Sequence, residues 1–204
     1  MVDSWQTLLA MTTKFYNEDT HQYFVDGVEK PSVTEIAKPI SAERLNALQT
    51  HLLERARARG QRCHEIFEEY LLCGEIYEED VEAEYIPYVN QFILWARTYR
   101  PKVLFTEKKL FGYDFCGTTD LVCVIDGKTI IVDYKVTSSV DKKSLSVQLE
   151  GYYRLCREYG MDIDDCYFLH IRKDGYTFKP IKRDTLWFDL LLVHNKKMKG
   201  KYNG

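Results

Sequence analysis

The sequence predicts an α/β fold of the α+β kind: a mixed central sheet flanked by helices. Two observations carry this. Three strand-like runs sit together at residues 102–112, 114–126 and 128–136, and the last two are joined by Asp126-Gly127, a strong hairpin signal. Around them, apolar residues recur every three or four positions over 41–72, 80–99, 142–159 and 185–196, as in amphipathic helices. At 204 residues the chain fits one domain, 1–204.

Taken in order, residues 14–30, KFYNEDTHQYFVDGVEK, alternate as a hairpin turning near Glu18–Thr20. Pro31-Ser32-Val33-Thr34 reads as a stop followed by a helix start, since Ser and Thr cap helices well. From Ser41 to Leu72 the helical stripe is Leu45, Leu48, Leu52, Leu53, Ala56, Ile66, Phe67, Tyr70 and Leu71, with Gly60 marking a break or a close approach. A second helix runs from Asp80 to Tyr99, kinked or divided at Pro87. After the three-strand meander, the 142–159 helix carries Leu145, Leu149, Tyr152, Tyr153 and Leu155 on one stripe. CYFLHIR and YTFKPIK then pair across Lys173-Asp174-Gly175, and a last helix covers Thr185 to Lys196. The chain thus divides into an N-terminal hairpin and helical segment (1–100), a sheet-and-helix core (101–183), and a C-terminal helix with a basic tail (184–204).

Composition excludes several classes. Hydrophobic residues make up 45% of the chain, enough for a core, yet no apolar run approaches the roughly 18 residues that span a membrane. The opening MVDSWQTLLAMTTK lacks the basic and long apolar regions of a signal peptide, so a cytoplasmic protein is expected. Six cysteines (63, 73, 116, 123, 156, 166) show no CxxC spacing, which argues against zinc and for buried free thiols. A net charge of −3 argues against a simple electrostatic binder of nucleic acid. Basic residues are nonetheless clustered, at Arg55, Arg57, Arg59 and Arg62 and again at Lys196, Lys197, Lys199 and Lys201. The second cluster reads more simply as a solvated, disordered end.

The chemistry concentrates in the meander. Asp133 and Lys135 are two apart on one strand and so share a face. Across the hairpin that turns at Asp126-Gly127, position 120 pairs near position 133, setting Asp120 beside Asp133. Their neighbours, DLVCVI and TIIV, are strongly apolar. Two adjacent carboxylates there raise each other's pKa and are costly to bury. A divalent cation resolves the conflict, and hard oxygen ligands suit Mg²⁺ or Mn²⁺.

The pattern Gly117-Thr-Thr-Asp120, Asp133-Tyr-Lys135, then Gln148-Leu-Glu-Gly-Tyr152, preceded by Gly60-Gln-Arg-Cys-His64, resembles the PD-(D/E)xK nuclease superfamily, in its RecB-type branch. The opening YNEDTHQYFVDG followed by PSVT is similar to the start of phage-encoded exonucleases of that group. The resemblance spans essentially the whole chain and implies a restriction-endonuclease-like core. It implies that Asp120, Asp133 and the main-chain carbonyl of Tyr134 bind one or two Mg²⁺ or Mn²⁺ ions together with His64, and that Lys135 positions or activates water. Gln148 and Tyr152 would touch substrate or brace the site, and Glu107 would act more weakly from behind the ligands. Thr119 replaces the proline of the superfamily name, as this branch usually does. Only Cys156 and Cys166 follow the motifs, so no iron–sulfur cluster is expected. The implied activity is exonucleolytic hydrolysis of linear DNA from its ends in phage or bacterial recombination, replication or repair, with a recombination or annealing protein as partner. Structure-selective endonuclease, RNA-directed nuclease and catalytically silent binding module remain the alternatives.

Overall fold

The structure, a computed structural model, describes residues 12–46 and 50–202. Leu48 and most of the opening stretch lie outside it, as do the side chains of Leu45, Leu52, Lys199 and Lys201. A small antiparallel sheet comes first: β1 (Lys14–Asn17), β2 (Gln22–Val25) and β3 (Val28–Lys30). Helices α1 (Val33–Asn46), α2 (Thr50–Cys73) and α3 (Ile86–Tyr99) follow, with a 3₁₀ turn at Glu78–Asp80 between the last two. The main sheet holds β4 (Lys102–Phe111), β5 (Cys116–Ile125), β6 (Lys128–Lys135), β7 (Asp165–Arg172) and β8 (Gly175–Pro180), in sequence order. Helix α4 (Lys142–Glu158) connects β6 to β7, and α5 (Thr185–Tyr202) closes the chain. All neighbours in this sheet are antiparallel except β6 and β7, which are parallel, so the sheet is mixed and the fold is α+β.

Alternation along the strands splits the core in two. Val122, Ile131, Cys166 and Phe168 pack with Val33, Ile36, Leu149, Leu155 and Phe188 from α1, α4 and α5. Leu121, Cys123, Ile130, Val132, Leu169 and Ile171 pack with Ile66, Phe67, Phe92 and Trp95 from α2 and α3. Phe67 and Phe92 stack with ring centroids 4.0 Å apart, locking those two helices together. On the other face Gly151 lets α4 approach α1 and α5, since a Cβ there would lie 2.7 Å from Phe188 and 2.8 Å from Val33. Helix starts are capped as their sequences suggest. Ser32 Oγ accepts from the Glu35 N–H, and Asp141 accepts from the N–H groups of Lys143 and Ser144.

Five expectations change. A third strand, β3, extends the N-terminal hairpin through Asp26-Gly27, where both residues have positive φ (51° and 74°), as a two-residue hairpin turn requires. The helix start expected at Pro31–Thr34 is found, capped by Ser32, but the expected 41–72 stripe falls on two helices, the end of α1 and α2, and α2 runs through Gly60 without a break. Pro87 starts α3 rather than kinking it: its missing N–H costs nothing in a first turn. The C-terminal helix carries past Lys196 to Tyr202, so the basic cluster is helical, and Lys196 pairs with Asp114 at 2.5 Å. All six cysteines are free thiols, but Cys73 is exposed, because it ends α2 facing solvent. No helix among the described residues is long and apolar enough to cross a membrane.

Candidate metal centre

The meander sets three carboxylates in one row. Thr106 pairs with Leu121 and Lys108 with Thr119, so Glu107 stands opposite Asp120. Leu121 pairs with Val132, so Asp120 stands opposite Asp133. Asp120, Asp133 and Lys135 leave the sheet on the side of Val122 and Ile131, while the Tyr134 ring leaves on the other, among Phe67, Phe92 and His64. Asp120 Oδ2 accepts the Tyr134 main-chain N–H at 2.6 Å, which ties the two strands together at the site. The Lys135 ammonium is ion-paired with the almost fully buried Asp133.

The fourth wall comes from α2. His64 Nδ1 lies 3.1 Å from Glu107 Oε1 and 3.7 Å from Asp120 Oδ1. Gly60, one turn earlier on the same face, leaves open space: a Cβ there would meet nothing within 4 Å. The glycine of G-x-x-x-H is therefore neither a break nor a packing contact, and it keeps the groove beside His64 clear. Glu107 has φ +43°, a left-handed conformation that costs a non-glycine residue about 1–2 kcal/mol. Strain of this kind gathers at functional sites, and here it belongs to the carboxylate that meets His64.

One ligand atom each from His64, Glu107 and Asp120 lie within 4.8 Å of one another. The sequence role for Glu107, behind the ligands, changes accordingly: left-handed backbone brings it into the cluster itself. Asp133 stands beside the cluster, held by Lys135. An imidazole with two carboxylates is a donor set that fits a divalent cation.

Electrostatics agree with that fit. Burial alone would lower the His64 pKa, but the charge of Asp120 and the hydrogen bond and charge of Glu107 outweigh it and raise it to about 9. Burial raises Asp133 to about 6 against the pull of Lys135, and it raises Asp120 despite His64. Lys135 is also raised: burial opposes its charge, and Asp133 and Asp120 prevail. In the metal-free protein the set of His64, Asp120, Asp133 and Lys135 thus holds protons more tightly folded than unfolded. Its contribution to stability is complete below the unfolded values. It fades as pH rises, through about 6 for Asp133 and about 9 for His64. A cation competes for the same groups. Mn²⁺ is expected to raise the melting temperature by roughly 5 °C or more near pH 8 and by little at pH 5. Scanning calorimetry across pH, with and without Mn²⁺, checks this.

The other named residues line the approaches. Gln148 shares a groove of about 710 Å³ with Thr34, Lys38, Arg57, Gly60, His64 and Lys135. The carbonyl of Val136, at its edge, accepts from Arg59. Tyr152, four residues on, is buried, and its phenol hydrogen-bonds Thr34, so it braces α1 more than it reaches out. Sequence reasoning missed Tyr16, His21, Lys38 and Thr118, which line adjoining cavities. Tyr16 and His21 stood in the quoted opening string, but only the folded hairpin turns them toward the centre.

No protein-family model matches the chain, and no curated protein matches it. Among solved structures, the crystal structure of SSO0001 is similar at a TM-score of 0.38 and 16% identity, over 80% of this chain and 84% of that one. A likeness this weak carries no argument about function.

Proposed function

We propose that the chain is a Mg²⁺- or Mn²⁺-dependent deoxyribonuclease of the PD-(D/E)xK, RecB-type kind, degrading linear DNA from its ends. The reading rests above all on one observation. Glu107, Asp120 and Asp133 stand opposite one another across three strands, with His64 and Lys135 converging on them from either side. His64, Glu107 and Asp120 would hold the ion, with Asp133 and the Tyr134 carbonyl beside it. When bound, a divalent cation supplies Lewis-acid stabilisation of the charge that builds on a phosphodiester and lowers the pKa of water. Lys135 stays an ammonium, so its part is to hold Asp133 and oppose phosphate charge rather than to act as a free base. Lys38, Arg57 and Lys135 line the large groove, whose lining includes no carboxylate among the described residues, which gives a phosphate backbone a favourable path to the centre. Gln148 lines that same groove and would contact the strand within it. A role in phage or bacterial DNA recombination, replication or repair, beside an annealing protein, follows from the motif resemblance.

The direct test is digestion of end-labelled linear DNA and closed circular DNA, with Mg²⁺ and with chelator. Linear DNA should be degraded only with the cation, and circles should survive. Equal attack on circles would replace the exonuclease reading with an endonuclease, and inert linear DNA would favour a silent binding module.

A further inference from the structure

The N-terminal hairpin is fastened to the main sheet beside the centre, sharing a cavity with His64 and Glu107. Asn17 Oδ1 accepts from the N–H groups of Asp19 (3.0 Å) and Thr20 (3.2 Å), which fixes the turn. His21 sits at φ +53°, a second strained non-glycine residue near the centre. Its Nδ1 is 2.7 Å from the Tyr16 hydroxyl. Three contacts fasten the hairpin to the main sheet: Tyr23 with Thr118 at 2.7 Å, Glu18 with Lys109 at 2.8 Å, and the Lys109 ammonium 4.8 Å from the Tyr16 ring centre.

Tyr16, His21 and Thr118 line two cavities at once. One holds His64 and Glu107. The other, about 420 Å³, lies between the hairpin and the start of α1 and adds Thr34 and Lys38. Thr118 is two residues from Asp120 on the same strand, and Tyr16, His21 and Thr118 are shared with the cavity that holds His64 and Glu107, so the second cavity adjoins the first. Its chemistry is specific. Burial and the Glu18 charge raise the Tyr16 pKa, so the phenol keeps its proton and shares one hydrogen bond with Nδ1. In the tautomer where the phenol donates, the imidazole N–H lies at Nε2, and among the described residues no partner takes it. An imidazole, an ammonium and two threonine hydroxyls line this small cavity together with Glu35, whose Oε1 accepts from Asn195 Nδ2 at 3.1 Å, and the four donors offer a phosphate site with room for a sugar. An aromatic ring lies at its edge.

We propose that this cavity holds the nucleotide next to the scissile bond of a single DNA strand. His21 Nε2 and Lys38 Nζ contact its phosphate, and the Tyr16 ring lies against its sugar or base. The inference rests on the nuclease reading above. At about 420 Å³, the open cavity between hairpin, α1 and β5 suits one nucleotide of a single strand.

The test is binding of a fluorescent single-stranded DNA decamer in chelator, followed by its cleavage in Mn²⁺. The substitutions are His21→Asn and Lys38→Ala. Asparagine tolerates left-handed backbone, so His21→Asn keeps the turn while removing the imidazole, and thermal melting confirms that each variant is folded. His21→Asn and Lys38→Ala should each weaken binding about tenfold, the worth of one hydrogen bond to a charged group. A single methylphosphonate walked along the decamer should find one position where the wild type loses this affinity and His21→Asn loses nothing more. Variants that bind and cleave as the wild type does, at every position of the neutral linkage, overturn the inference and leave the nuclease reading standing. A wild type that neither binds nor cleaves the decamer, yet digests duplex ends, also removes the inference alone. One inert toward all DNA removes both.

Discussion

Asp120→Asn is expected to lower Mg²⁺-dependent DNA hydrolysis at least 10³-fold, the scale seen when one member of a cooperating catalytic set is removed. Asp120 is the hub of the centre. It stands between Glu107 and Asp133, touches His64, and accepts the Tyr134 N–H. The same change should leave the metal-free fold as stable as before, or more stable by about 1 kcal/mol, as when function and stability trade off. Burial raises the Asp120 pKa, so the folded protein already favours a neutral group there. The amide oxygen of Asn can still accept from Tyr134. Two further readouts follow. The Mn²⁺ stabilisation near pH 8 should vanish. The His64 pKa should fall from about 9, because the Asp120 charge is the largest of the influences that raise it. NMR titration of His64 reads the second. Activity within tenfold of wild type would remove Asp120 from the chemistry.

Lys135→Ala should also abolish detectable hydrolysis, by 10²–10³-fold or more on the scale of a lost electrostatic stabiliser, but with the opposite effect on the fold. Lys135 is the ion-pair partner of Asp133, which is 3% exposed. Without it a buried carboxylate is left uncompensated, at a cost of about 2–4 kcal/mol. The cost should depend on pH. The Asp133 pKa is raised to about 6 even with Lys135 lowering it, so the variant's rises further. Below the unfolded carboxylate range Asp133 is protonated in both states and the two proteins should differ little. Above about pH 6 the variant should fall progressively behind. Urea unfolding at pH 4 and pH 8 separates this from simple loss of packing, and Lys135→Met, which keeps most of the aliphatic stem, should behave like Lys135→Ala at pH 8. A deficit equal at both pH values would mean that the lysine acts through volume alone.

The parts legible in the sequence were those written in local chemistry. Asp126-Gly127 fixes the β5–β6 hairpin register, and that register alone brings Asp120 opposite Asp133. The same two-residue logic at Asp26-Gly27 was present but overlooked, because β3 is only three residues long and carries no apolar alternation. Pro87 misled because a proline inside a periodic run reads alike as a kink or a first turn, and the packing of Phe92 and Trp95 on the sheet decides between them. Glu107 was undervalued for a different reason. Its part depends on a left-handed φ in mid-strand, and no residue type around it signals that. Tyr16 and His21 were invisible as site residues because the contacts that bring them to the centre, Tyr23–Thr118 and Glu18–Lys109, join segments roughly ninety residues apart.

The most direct test is to soak crystals in Mn²⁺ and collect anomalous diffraction at the manganese edge. One strong peak touching His64, Glu107 and Asp120, and absent from Asp120→Asn crystals, is the expected result. A wild-type map with no peak there at millimolar Mn²⁺, or with manganese only at surface carboxylates, would contradict it.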